Sequence, residues 1–98
     1  MAEKFSRLDV TDYLQSDEDM NEYLQACIEE DSGDGHLIAA ALGDIARAKN
    51  MAQLARDVNM SREGLYKALS GEGNPSFSTI IKVAKSLGLQ IGLTTRAA

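Results

Sequence analysis

The stretch from Met51 to Ser70 limits what this chain can fold into more than any other. Apolar Leu54, Val58, Met60, Leu65 and Ala68 fall at helical spacing on either side of a break, and small Ala55 stands where two crossing helices touch. The break is at Asn59. A sharp turn there needs a left-handed residue, for which Gly is cheapest and Asn the next best tolerated. Ser61 is placed to cap a second short helix by accepting a backbone N–H. The pattern therefore predicts a helix-turn-helix. Leu54, Ala55 and Val58 share one buried face, Leu65, Ala68 and Leu69 the other, and Arg62, Glu63, Tyr66 and Lys67 point outward. An exposed helix of this kind suits the DNA major groove, where Arg bonds guanine bidentately and Lys or Tyr reaches bases or phosphates. An ordinary helical hairpin with a charged outer face satisfies the same spacing.

A net charge of −5 at first argues against a nucleic-acid partner. Its distribution resolves the conflict. Residues 1–36 hold eleven acids against Lys4 and Arg7, a net −9, whereas residues 37–98 hold four acids against eight bases, a net +4. The basic part can meet phosphate while the acidic part faces a basic protein or merely solvates a surface helix.

Ninety-eight residues make one small domain, here divided into an acidic arm and helix over 1–32 and a helix-turn-helix unit over 33–98. With no Trp and few aromatics, Leu, Ile, Ala and Met must fill the core, which suits packed helices. Residues 1–10 read as an arm in which Phe5, Leu8 and Val10 can dock on something apolar, followed by a short helical turn near Val10–Leu14. Ser16 caps the next helix, whose first turn is Asp17, Glu18 and Asp19 and whose apolar stripe is Met20, Tyr23, Leu24, Cys27 and Ile28. Asp34 is expected to cap a third helix running to about Ala48, with Leu37, Ile38, Ala41, Leu42 and Ile45 inward. A turn-rich loop over 70–75 leads to a last helix, Phe77 to Leu87, with Phe77, Ile80, Ile81, Ala84 and Leu87 inward and Gly88 as its stop. Beyond it, Leu89, Ile91 and Leu93 alternate with Gln90, Gly92 and Thr94, which predicts a short β-strand. A lone strand needs a partner, either the N-terminal arm, the same strand of a second subunit, or another protein. Twofold pairing would supply the homodimer that palindromic operators require.

The chain carries three further blocks: Ala40-Ala41-Leu42-Gly43-Asp44-Ile45-Ala46-Arg47-Ala48-Lys49, then Gln53-Leu54-Ala55-Arg56-Asp57, then Ser61 through Gly71-Glu72-Gly73-Asn74-Pro75. With Asp9-Val10, Tyr13-Leu14 and Tyr23-Leu24 upstream, they resemble the addiction-module antidote proteins, HigA-like antitoxins with an Xre/Cro-type helix-turn-helix. The resemblance spans most of the chain, and the block ending Gly-Glu-Gly-Asn-Pro is its specific part. It implies an all-α, five-helix Cro/lambda-repressor-like domain with an acidic helical extension, operator DNA binding, and a basic toxin partner of the RelE/HigB ribonuclease type. By position it makes Arg62, Glu63, Tyr66 and Lys67 the base readers and Gln53 and Ser61 backbone contacts, and it lays Gly73 and Asn74 near phosphate. Asn59 stands where the family more usually has Gly. Gly64 opens the second helix at a cost of up to about 1 kcal/mol relative to Ala.

Catalysis is not expected. His36 is the only histidine and lies beside glycines, Cys27 sits on an apolar stripe without a local base, and the Gly-Glu-Gly loop lacks the Lys-Ser/Thr of a phosphate-binding loop. No cofactor or metal is expected. No apolar run reaches membrane-spanning length and no signal peptide is recognisable, so cytoplasm is the expected compartment. The expected function is thus a DNA-binding antitoxin that represses its own promoter. A phage-type repressor without a toxin, or an interaction module that has lost DNA binding, is the rival.

Overall fold

The computed structural model describes residues 7–95, with side chains from Val10 onward. Six helices lie among these residues: α1 (Arg7–Tyr13), α2 (Asp17–Glu30), α3 (His36–Lys49), α4 (Met51–Asp57), α5 (Arg62–Ala68) and α6 (Phe77–Ser86). Of the expected docking arm, residues 7–10 belong to α1 and Val10 is buried in the core at 1% exposure, while the side chains of Phe5 and Leu8 lie outside those described. The architecture is all-α. Four of the helices fall within residues 33–98 and two, α1 and α2, within residues 1–32.

Local chemistry starts most of these helices. Ser16 Oγ accepts from Asp19 N at 3.0 Å, with Asp17, Glu18 and Asp19 filling the favourable first turn of α2. Asn50, Ser61 and Ser76 cap α4, α5 and α6 in the same way, through Gln53 N, Gly64 N and Thr79 N. The start of α3 differs from expectation. Asp34 is not its cap: Gly35 holds that position and has no side chain to offer. Asp34 still accepts from the first helical N–H, His36 N, at 3.1 Å, but most of the N–H groups go to Asp31, whose carboxylate receives Gly33 N at 2.8 Å, Gly35 N and Leu37 N at 2.9 Å, and Ile38 N at 3.3 Å. Gly33 and Gly35, both at positive φ, curl the chain around it. These N–H bonds, led by that of Gly35, hold the Asp31 carboxyl below the usual carboxylate range.

α3 is the central strut, buried continuously from Ala39 to Ala46. α1, α2, α4 and α6 all pack on it. One core runs from Val10 and Leu14 through Leu24, Cys27, Leu42 and Ile45 to Leu54, Leu65, Leu69 and Val83. Gly43 sits in the middle of α3 because the C-terminal end of α5 lies against it. A Cβ there would stand 2.5 Å from the Leu69 carbonyl oxygen.

The core also holds a charge. Asp44 is 1% exposed and accepts from Tyr23 Oη at 2.6 Å and from Arg47 Nη2 at 2.7 Å. Arg47 also reaches Thr11 Oγ1, at 3.5 Å, so α1, α2 and α3 are tied through one buried carboxylate. Burial, followed by the bond to Asp44 and its charge, pushes the Tyr23 hydroxyl far above its ordinary pKa.

Three side chains expected inward face water instead. Phe77 is 65% exposed, Ile28 42% and Leu37 38%, while Val83, not expected inward, is fully buried. Each displaced residue lies on the first or last turn of its helix. The expected β-strand is also corrected. Gly88, at φ 80, stops α6 as anticipated, but residues 89–95 form no strand within the chain. The segment instead begins by returning to α6, with Leu89 N bonding Ala84 O at 2.8 Å, and no second strand lies among the described residues to make a ladder.

Candidate nucleic-acid interface

α4 and α5 are joined by a turn that two local devices define. Asn59 adopts φ 60, the left-handed conformation that its position calls for, and Met60 N closes the turn onto Ala55 O at 2.9 Å. Ser61 then starts α5. Leu54 and Ala55 on α4, Val58 just beyond it, Leu65 on α5 and Leu69 just beyond it are buried. They fix the pair to the core through Leu65, which is completely enclosed.

Burying Leu65 and Leu69 fixes the opposite face of α5. Arg62, Glu63, Tyr66 and Lys67 are all exposed on it, as the spacing predicts. Neither Arg62 nor Lys67 pairs with a carboxylate among the described residues. Ser61, in accepting from Gly64, keeps a hydroxyl proton to donate. On α4, Gln53 is exposed and held on both sides, its amide donating to Asp57 Oδ1 at 2.8 Å and its carbonyl accepting from Arg56 Nη2 at 2.7 Å. Arg56 had not been singled out from the sequence, although its i+3 spacing from Gln53 puts the two on one face.

Gly73 and Asn74 divide. Asn74 is exposed, whereas Gly73 is packed on the last turn of α5, where a Cβ would overlap the Lys67 carbonyl oxygen. The packing against α5 by itself requires glycine there. Leu89, Ile91 and Leu93 lie on other elements, apart from α5. Leu89 is half-buried on the core, Ile91 is 39% exposed, and Leu93 is 87% exposed.

Among the described residues no group of His, Cys, Asp and Glu is arranged to hold a metal ion. His36 pairs with Asp34 at 2.9 Å on the surface, and Cys27 is buried in the core. No helix among them is long and apolar enough to cross a membrane.

A family model described as "Probable addiction module antidote protein" matches residues 4–95. The chain belongs to that family. A Haemophilus influenzae protein, itself described only as uncharacterized, is 54% identical over 90 residues, which cover 92% of this chain and 91% of its own. No solved structure matches. Membership in the antidote family makes an antitoxin of an addiction module the functional class and implies a toxin as partner.

Proposed function

We propose that this antidote is a sequence-specific DNA-binding antitoxin of a type II module. It neutralises a basic ribonuclease toxin of the RelE/HigB type and represses its own promoter by occupying it as a homodimer. The observation that carries the DNA-binding part is the α4–α5 unit. A left-handed Asn59 and a Ser61 cap hold α5 so that Leu65 is enclosed while Arg62, Tyr66 and Lys67 are presented to solvent. In this reading the pair works as a Cro-type helix-turn-helix, with residues 33–98 as the DNA-binding unit and 1–32 as an acidic extension.

Roles follow from chemistry. Arg62 and Lys67 supply cationic donors to base edges or phosphates, and Tyr66 and Glu63 add an aromatic hydroxyl and an acceptor suited to cytosine N4. Gln53 and Ser61 donate to the DNA backbone, with Arg56 beside Gln53 adding charge, and Asn74 approaches phosphate from the loop closed by Gly73. Leu89, Ile91 and Leu93 form a segment for a protein partner. None of these steps needs a cofactor, a metal or a catalytic group, and the setting is cytoplasmic.

The test has two arms. The chain is titrated onto its own promoter DNA over a range of salt concentrations. The wild type should give a saturable shift whose affinity falls with salt, and Arg62→Ala with Lys67→Ala should abolish specific binding and flatten the salt dependence by about two phosphate contacts. A shift unchanged by the double substitution refutes the assignment of α5. In the second arm a tagged copy is co-expressed with the adjoining small reading frame. Co-purification of a basic protein that is toxic alone is the expected result, and a chain that comes down alone refutes the toxin pairing.

A further inference from the structure

A cleft of about 810 Å³ opens between α2, α3, α6 and the segment after Gly88. Leu24, Ile38, Leu42 and Ala84 line its interior. Ile28, Phe77 and Ile91, three of the bulky apolar side chains that the core does not take, line it too and remain in contact with water. Several large exposed apolar groups around one concavity mark a place where something apolar docks. The cleft uses no residue of α4 or α5, so an occupant there leaves the α5 face open.

Charge narrows the occupant. Asn21 and Gln25 border both this cleft and a neighbouring depression along α2 that Glu22 and Glu29 flank. The apolar trough therefore continues into an acidic wall. α2 carries Asp17, Glu18, Asp19, Glu22, Glu29 and Glu30 and no basic residue. Of these, only Asp17 meets a lysine among the described residues, Lys49 at 3.5 Å. A second copy of this chain laid cleft to cleft would bring two such acidic helices side by side, a like-charge arrangement that interfaces avoid.

We infer that this cleft is where the antidote holds its protein partner, and that it takes an apolar segment flanked by lysine or arginine. The inference rests on the toxin reading above. The bulky apolar side chains of the segment fill the trough beside Phe77 and Ile28, while its cations meet Glu22 and Glu29. Acid on α2 then speeds association and the trough sets the lifetime of the complex.

The probe is the purified protein of the adjoining reading frame, titrated onto the full-length chain. Two exposed-site variants separate the terms: Ile28→Gln with Phe77→Ser removes apolar surface, and Glu22→Lys with Glu29→Lys reverses the wall. The first should raise Kd by at least about tenfold, mainly through faster dissociation. The second should slow association and weaken its dependence on salt. Both should shift promoter DNA as the wild type does. Wild-type affinity in both variants overturns the inference. So does loss of the homodimer by light scattering in Ile28→Gln with Phe77→Ser at unchanged partner affinity, which would assign the cleft to a second copy. If that variant fails to fold, the charge-reversed variant decides alone. An unmutated chain that binds nothing from the adjoining frame refutes the toxin reading and this inference together, whereas a bound partner insensitive to both variants refutes only the cleft.

Discussion

Replacing Tyr23 with Phe removes one oxygen from a contact with the buried carboxylate of Asp44. The Tyr23 hydroxyl donates to Asp44 at 2.6 Å, and Asp44 is 1% exposed. A hydrogen bond to a charged group contributes about 1.5–3 kcal/mol. Removing every partner of a buried charge would cost more, about 3–5 kcal/mol, but Arg47 stays at 2.7 Å in the variant. The expected loss is therefore about 2 kcal/mol, which for a domain of this length lowers Tm by roughly 10 °C. Urea or thermal melts near neutral pH measure it. A pH series supplies the sharper test. The folded pKa of Tyr23 lies above its ordinary value of 10, so the stability it contributes is fully present below pH 10. Above that, the unfolded phenol ionises while the folded one keeps its proton, and the contribution is progressively lost. The difference between wild type and Tyr23→Phe should therefore shrink as pH rises beyond 10. Because the ring is only half-buried, the slope should stay below the limit of about 1.4 kcal/mol per pH unit. A variant within about 0.5 kcal/mol of wild type at neutral pH, or a difference that does not move with alkaline pH, refutes the argument.

Gly43→Ala should destabilise the fold by about 1–3 kcal/mol although Ala is the better helix former, because its Cβ meets the Leu69 backbone. A urea midpoint at or above that of wild type contradicts the close approach of α3 and α5. Asp31→Ala should lower Tm by leaving four N–H groups at the start of α3 without their acceptor. The folded pKa of Asp31 lies below its ordinary 3.8, so the advantage of wild type should be full above that pH and vanish as pH falls through the lower folded value. Melts of both proteins in an acid series check this, and a gap that stays constant into strong acid excludes Asp31 as the cap.

Much of the candidate interface was legible because its determinants are local. Asn59 takes the left-handed turn, Ser16 and Ser61 cap, and Gly88 stops α6, each within four residues of the groups it serves. The outward set Arg62, Glu63, Tyr66 and Lys67 follows from Leu65 and Leu69 alone, since helical spacing fixes which side chains share a face.

Spacing does not fix how far a neighbouring helix extends along that face, and there the sequence falls short. Phe77 and Ile28 fit their stripes by period, yet they stand at helix ends that the packing does not cover, and they border a cleft instead. Asp44 is enclosed only because α1 and α2 meet α3 with Thr11 and Tyr23. Gly43, a poor helix former in mid-helix, finds its reason only in the carbonyl of Leu69 laid against it. The alternation at Leu89, Ile91 and Leu93 records a capacity for pairing, but a ladder needs a second edge, and the described chain supplies none. The sequence by itself thus determined the helices, the caps at Ser16 and Ser61 and the turn before α5, all set by short-range sterics and hydrogen bonds. Only the tertiary structure decided which faces were buried, where a charge was enclosed and where an apolar trough stayed open, because each depends on residues distant in the chain meeting in space.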